Sequence, residues 1–88
     1  MHKVFISFQT NSETQPLVEA IVEDNPRVVV EESPGMTKLD AVGSLTIKRE
    51  TVSKKMGRDF DLQEIHINLI SISGNLDEDD DEFVISWG

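Results

Sequence analysis

Asp77, Asp79 and Asp81 alternate within six consecutive acidic residues, Asp77 to Glu82, and are the first candidates for chemistry in this 88-residue chain. Carboxylates at that spacing could ligate calcium, but a calcium loop also needs glycine at its sixth position and a bidentate glutamate at its twelfth. Counted from Asp77, those positions hold Glu82 and Gly88, so no calcium site is expected. A carboxylate-bridged di-iron centre takes Glu-x-x-His pairs from long helices. Glu64-Ile65-His66 has the wrong spacing, no second copy and a strand-like setting. His66 therefore reads as a structural histidine or one on a second sheet face, since a lone imidazole lacks co-ligands. There is no cysteine, no tyrosine, no glycine-rich phosphate loop and no G-x-S-x-G elbow. With two histidines among 17 acidic residues, Ser/His/Asp combinations arise by chance. No catalytic, cofactor-binding or metal-binding residue is assigned.

Charge of the opposite sign is concentrated too. Five of the eight basic residues, Lys48, Arg49, Lys54, Lys55 and Arg58, fall in one short segment. Such a run is either a solvated helix face or a contact patch. The formal charge of −9 argues against nucleic acid and anionic membrane as partners. No stretch approaches the ~20 apolar residues of a membrane span. The short apolar run of MHKVFISF is no signal peptide, so the chain reads as cytoplasmic. One domain, residues 1–88, is expected, burying roughly 60–65% of the surface that its unfolded form exposes.

The elements that must position these residues follow from periodicity. Val4, Ile6 and Phe8 alternate on a first strand, Lys3 to Gln9. Leu17, Val18, Ala20, Ile21 and Val22 share a broad helical arc that ends at Asn25-Pro26, because a residue before proline avoids the helical region. Val28-Val29-Val30 opens a strand to about Glu32, Ser33-Pro34-Gly35 forms a type II turn, and Met36 to Ala41 returns with Thr37, Leu39 and Ala41 on one face. After Gly43 the pattern restarts. Ser44 to Lys48 is a strand, and Glu50 to Met56 is a short helix with Gly57 at its left-handed C′ position. A strand is predicted over Glu64 to Ser73, with Ile65, Ile67 and Leu69 on one face and His66 and Asn68 on the other. An acidic loop and a last strand, Glu82 to Trp87, complete the chain, with Trp87 as a core or edge anchor. The fold class is α+β: two βαββ units, about 3–42 and 43–88, of mainly antiparallel sheet with two helices.

Arg49 to Trp87, RETVSKKMGRDFDLQEIHINLISISGNLDEDDDEFVISW, resembles the C-terminal half of the small effector, or coupling, proteins of bacterial phenol hydroxylases. PLVEAIVEDNP (Pro16 to Pro26), the Ser33-Pro34-Gly35-Met36 turn and the strand Gly43 to Arg49 extend the likeness over nearly the whole chain. These proteins regulate soluble multicomponent monooxygenases. The resemblance implies a cofactor-free, non-catalytic protein of aromatic hydrocarbon catabolism. It implies as partners an oxygenase (hydroxylase) component with a di-iron centre and an NADH-dependent reductase, and as its effect the coupling of NADH oxidation to hydroxylation. Contact candidates are Ser33, Pro34, Gly35 and Met36; Ser73, Gly74 and Asn75 at the loop entrance; Asn68; and Lys48, Arg49, Lys54, Lys55 and Arg58. The acidic block is expected to govern solubility and encounter rate more than affinity. An alternative is a small-molecule-binding α+β domain with Met36, Met56 and Phe60 around an apolar cavity.

Overall fold

A computed structural model describes residues 2–87. The first half contains strand β1 (Lys3–Gln9), helix α1 (Thr14–Asp24) and the hairpin β2 (Val29–Ser33) and β3 (Met36–Val42). Strand β4 (Ser44–Lys48) and helix α2 (Arg49–Met56) follow. Then come a 3-10 turn (Leu62–Glu64), one turn of helix α3 (Ile65–Asn68), and strands β5 (Leu69–Ser73), β6 (Asn75–Glu78) and β7 (Glu82–Ser86). Two antiparallel sheets result, one ordered β2-β3-β1-β5 and the other β4-β7-β6. The fold is α+β, as the pattern predicts. The sheets do not follow the two halves, because β5 leaves its own half to pair with β1.

The core forms where the alternating faces meet the helices. Val4, Ile6 and Phe8 of β1, Leu39 and Ala41 of β3, Leu45 and Ile47 of β4, and Phe83 and Ile85 of β7 are buried. Leu17, Ala20 and Ile21 of α1 and Val52 of α2 close over them, with α1 packed on α2 and β4. Gly35 (φ 78°) and Gly57 (φ 73°) take left-handed conformations at the turn and helix end where the sequence places them.

Two expectations are corrected and a third is narrowed. The predicted strand from Glu64 to Ser73 begins only at Leu69, and Glu64 to Asn68 is helical. Asp61 and Glu64 cap this turn reciprocally: Gln63 N donates to Asp61 Oδ1 (3.0 Å) and Asp61 N to Glu64 Oε2 (3.2 Å). Buried Leu62 and Ile65, three positions apart, supply a helical stripe that outcompetes the alternation of Ile65, Ile67 and Leu69. Ile67 consequently leaves the core and is 69% exposed. Second, the acidic block is not all loop. Asp77 and Glu78 belong to β6, paired with Val84 and Phe83, so the described residues form seven strands rather than six. Leu76 anchors β6 against the core, and like charges along this open edge repel a further strand. Third, of the two roles expected of Trp87, core or edge anchor, the structure shows the second. It is an edge anchor, half-exposed, whose Nε1 donates to the Lys3 carbonyl (2.9 Å).

Candidate interaction surface

Lys48 ends β4 and Arg49 opens α2, so the charge cluster starts at a strand-to-helix corner. Arg49 N donates to the Asp81 carbonyl (2.9 Å), which ties that corner to the β6–β7 turn. Lys48, Arg49, Lys54 and Arg58 line an open hollow of about 850 Å³ together with the acidic Glu50, Asp59, Asp81 and Glu82. The fifth basic residue, Lys55, is apart from them and pairs with Glu23 of α1 (3.4 Å). Arg58 is already engaged, gripping both Glu64 carboxylate oxygens (3.2 and 3.3 Å). The Arg58 hydrogen bond is the main cause that holds the Glu64 carboxyl below the usual carboxylate range, helped by the Asp61 N–H. The hollow is therefore of mixed charge, with basic and acidic side chains interleaved.

The Ser33–Met36 turn and Asn68 flank a single junction, that between β1 and α1. Gly35 O accepts from Thr10 N (3.1 Å). Asn68 Oδ1 accepts from Asn11 Nδ2 (3.0 Å), and Asn68 Nδ2 reaches Glu13 Oε2 (3.5 Å). Asn68 thus serves a neighbouring loop. Ser73, Gly74 and Asn75 lie at the other end of β5, beside Val4 and Ile85. The candidate residues therefore do not form one continuous patch: Arg58 and Asn68 line one small hollow together, while Lys55 and the Ser73–Asn75 corner lie apart.

His66 Nε2 lies 2.8 Å from Glu78 Oε1, and Gln63 Nε2 donates to the same oxygen (3.1 Å). The His66 ring faces Phe83 at 6.0 Å. This exposed group pins the helical turn to the acidic hairpin. The bond from His66 is the main cause that lowers the Glu78 carboxyl from its ordinary value. Among the described residues no three His, Asp or Glu side chains are placed to hold a metal ion. The hollow touching Met56 and Phe60 holds only about 20 Å³, room for about one water, which needs ~10–15 Å³. Met36 does not line it.

Two structural devices escaped the sequence reading. The Asp61-x-x-Glu64 box was legible as a capping signature. Asn25 is more than a helix stop: its side chain donates to the Ile21 and Thr46 carbonyls (2.8 and 2.7 Å) and accepts from Thr46 N (2.9 Å). No local signal reveals a bond to a strand 21 residues away.

The chain is 48% identical over 84 residues, 96% of its length, to the phenol 2-monooxygenase stimulatory component DmpM of Pseudomonas sp. strain CF600, of which 93% is covered. A solved phenol hydroxylase–regulatory protein complex contains a chain that superposes with a TM-score of 0.94 at 48% identity, covering 99% of this chain and all of that one. A second such complex gives 0.91 at 45% identity, covering 98% of this chain and all of that one. The regulatory protein B of soluble methane monooxygenase shares the fold at a TM-score of 0.77 and 22% identity, with all of this chain matched to 69% of that one. The MmoB/DmpM family pattern spans residues 2–86, and the chain belongs to the MmoB/DmpM family.

Proposed function

We propose that this protein is the cofactor-free regulatory component of a phenol hydroxylase, which binds the di-iron oxygenase component and raises the yield of aromatic hydroxylation per NADH oxidised. The observation that carries this reading is the 48% identity, over nearly both full lengths, to a stimulatory component of phenol 2-monooxygenase. The superposition on a chain from a phenol hydroxylase–regulatory protein complex supports it. The chain acts by binding and is not itself an enzyme. Its setting is cytoplasmic, with an NADH-dependent reductase in the same system; no helix among the described residues is long and apolar enough to cross a membrane.

Regulation without chemistry has a defined energetic requirement. A bound effector shifts the oxygenase between conformations only by its difference in affinity for them. A ~10–100-fold shift needs roughly 1.4–2.8 kcal/mol of differential binding. The basic residues Lys48, Arg49, Lys54 and Arg58, the Ser33–Met36 turn and Asn68 are the proposed contacts. The Ser73–Asn75 corner and Lys55 complete the set. The small-molecule alternative finds no support in the tiny Met56–Phe60 hollow, since ligand pockets run to ~300 Å³ or more. The test is titration of the chain into purified oxygenase and reductase with phenol and NADH. Product formed per NADH is expected to rise to saturation with the chain; an unchanged ratio overturns the proposal.

A further inference from the structure

Two irregularities occur within six residues, and each turns an isoleucine outward. The helical turn that replaces the expected strand leaves Ile67 69% exposed. Two residues after α3 ends, the register between β1 and β5 shifts: Ser7 opposes Ser71, but Phe8 opposes Leu69. Ile70 therefore has no partner on β1 and is 48% exposed, whereas Ile72, facing Ile6, packs against the core. A regular strand with this sequence would put Ile70 on the face of Ile72. Bulges on edge strands re-aim side chains in this way and recur beside functional sites, and β5 is an edge strand.

The projecting pair is held firmly. Asn68, between the two isoleucines, is bonded to Asn11 and to Glu13. Ser71, just beyond them, bonds Ser7 through its hydroxyl (2.6 Å). The turn itself is fixed by the Asp61–Glu64 box and by Arg58. Three residues of chain span at most ~10 Å, so Ile67 and Ile70 are two exposed apolar residues within that distance of each other. Their surroundings are acidic. Glu13 bonds Asn68, Glu78 bonds His66, and Glu64 pairs with Arg58.

We infer that Ile67 and Ile70 form a preformed docking knob that inserts into an apolar cleft with a basic rim on the oxygenase component. Charge complementarity with the Glu13 and Glu78 rim selects that cleft, and the fixed turn minimises the ordering cost of binding. The inference rests on the regulatory reading above but names a surface which that reading does not include.

The test uses the whole chain and the intact oxygenase component. Methyl-labelled wild-type protein is titrated with oxygenase. The Ile67 and Ile70 methyl resonances are expected to shift or broaden before those of buried Ile6, Ile21 and Ile47. Ile67→Asp and Ile70→Asp are each expected to raise Kd by roughly 10–100-fold, the range of a central interface residue. Val22→Asp, at an exposed valine on α1, is expected to leave Kd unchanged. Wild-type binding with unperturbed Ile67 and Ile70 methyls overturns the knob but leaves the regulatory reading intact. Failure of the wild-type chain to bind overturns both. A dimer of the free chain that Ile67→Asp dissolves, with oxygenase affinity unchanged, assigns the pair to self-association and also overturns the proposal.

Discussion

Gly74 sits at a corner with no room for a side chain. Its φ is 128°, and a Cβ there would lie 2.7 Å from Ile85 Cγ2 and 3.0 Å from Val4 Cγ1. Val4 and Ile85 are both fully buried, so neither has space to retreat. Gly74→Ala adds backbone strain to overpacking and is expected to cost ~2–4 kcal/mol in urea unfolding. Any loss of partner binding in that variant should be recovered by correcting for the unfolded fraction, which separates packing from contact. Asn25 makes a contrasting case, since its importance lies in what it satisfies. Its amide serves Thr46 as a neighbouring strand would, on the free side of edge strand β4. Asn25→Ala leaves the Thr46 N–H and carbonyl without that partner and is expected to cost ~1–3 kcal/mol, read from the shift in urea midpoint.

At the scale of elements, the β6–β7 hairpin and the α3 turn are fastened by side chains more than by backbone. Glu78 accepts from both His66 and Gln63, and Glu64 accepts from Arg58 and the Asp61 N–H. Both carboxyls are depressed below their ordinary value of 4.5, Glu64 chiefly by Arg58 and Glu78 chiefly by His66. In the window between folded and unfolded values the unfolded chain binds more protons, so stability rises with pH there. The contribution is complete above about pH 4.5 and is lost as pH falls through the lowered folded values. Glu78→Gln is expected to flatten the acid limb of a Tm-versus-pH curve below pH ~5, and wild-type steepness in that variant would refute the fastening role. The same region marks the limit of the sequence reading. Val4-Ile6-Phe8 and Leu17-Ala20-Ile21 were legible because burial on one face imposes a period on them. Residues 62–73 carry two periods at once, Leu62/Ile65 helical and Ile65/Ile67/Leu69 alternating, and only the long-range pairing of β5 with β1 decides between them. Strand β6 was obscured because its charges face solvent on an edge, where alternation with core residues leaves only Leu76 as a sign. Among the contact candidates, the chain position of Lys55 suggested company with Lys54, but one step along a helix turns a side chain by about 100°. It faces Glu23 instead.

At the scale of the whole molecule, charge is arranged more than it is accumulated. The net −9 coexists with a basic corner at Lys48 and Arg49, and the acidic turn Asp79–Asp81 is held against that corner by the Arg49–Asp81 backbone bond. Exposed charges add little to affinity once they are solvated at a rim, but they steer the approach of an oppositely charged partner. The acidic turn therefore belongs to the encounter. Asp79→Asn, Asp80→Asn and Asp81→Asn together remove three charges. The side-chain carbonyl introduced at position 79 can still accept the backbone N–H of position 81, as the Asp79 carboxylate does (3.3 Å). With the turn preserved, the triple variant is expected to lower the association rate with the oxygenase several-fold at low ionic strength while changing the dissociation rate little. The difference should shrink as salt brings the screening length from ~30 Å at 0.01 M towards ~8 Å at 0.15 M. Stopped-flow association at the two ionic strengths reads this directly. A variant whose loss appears in dissociation, equally at both salts, would place the acidic turn inside the bound interface and move the docking surface from the Ile67–Ile70 knob towards the β6–β7 hairpin.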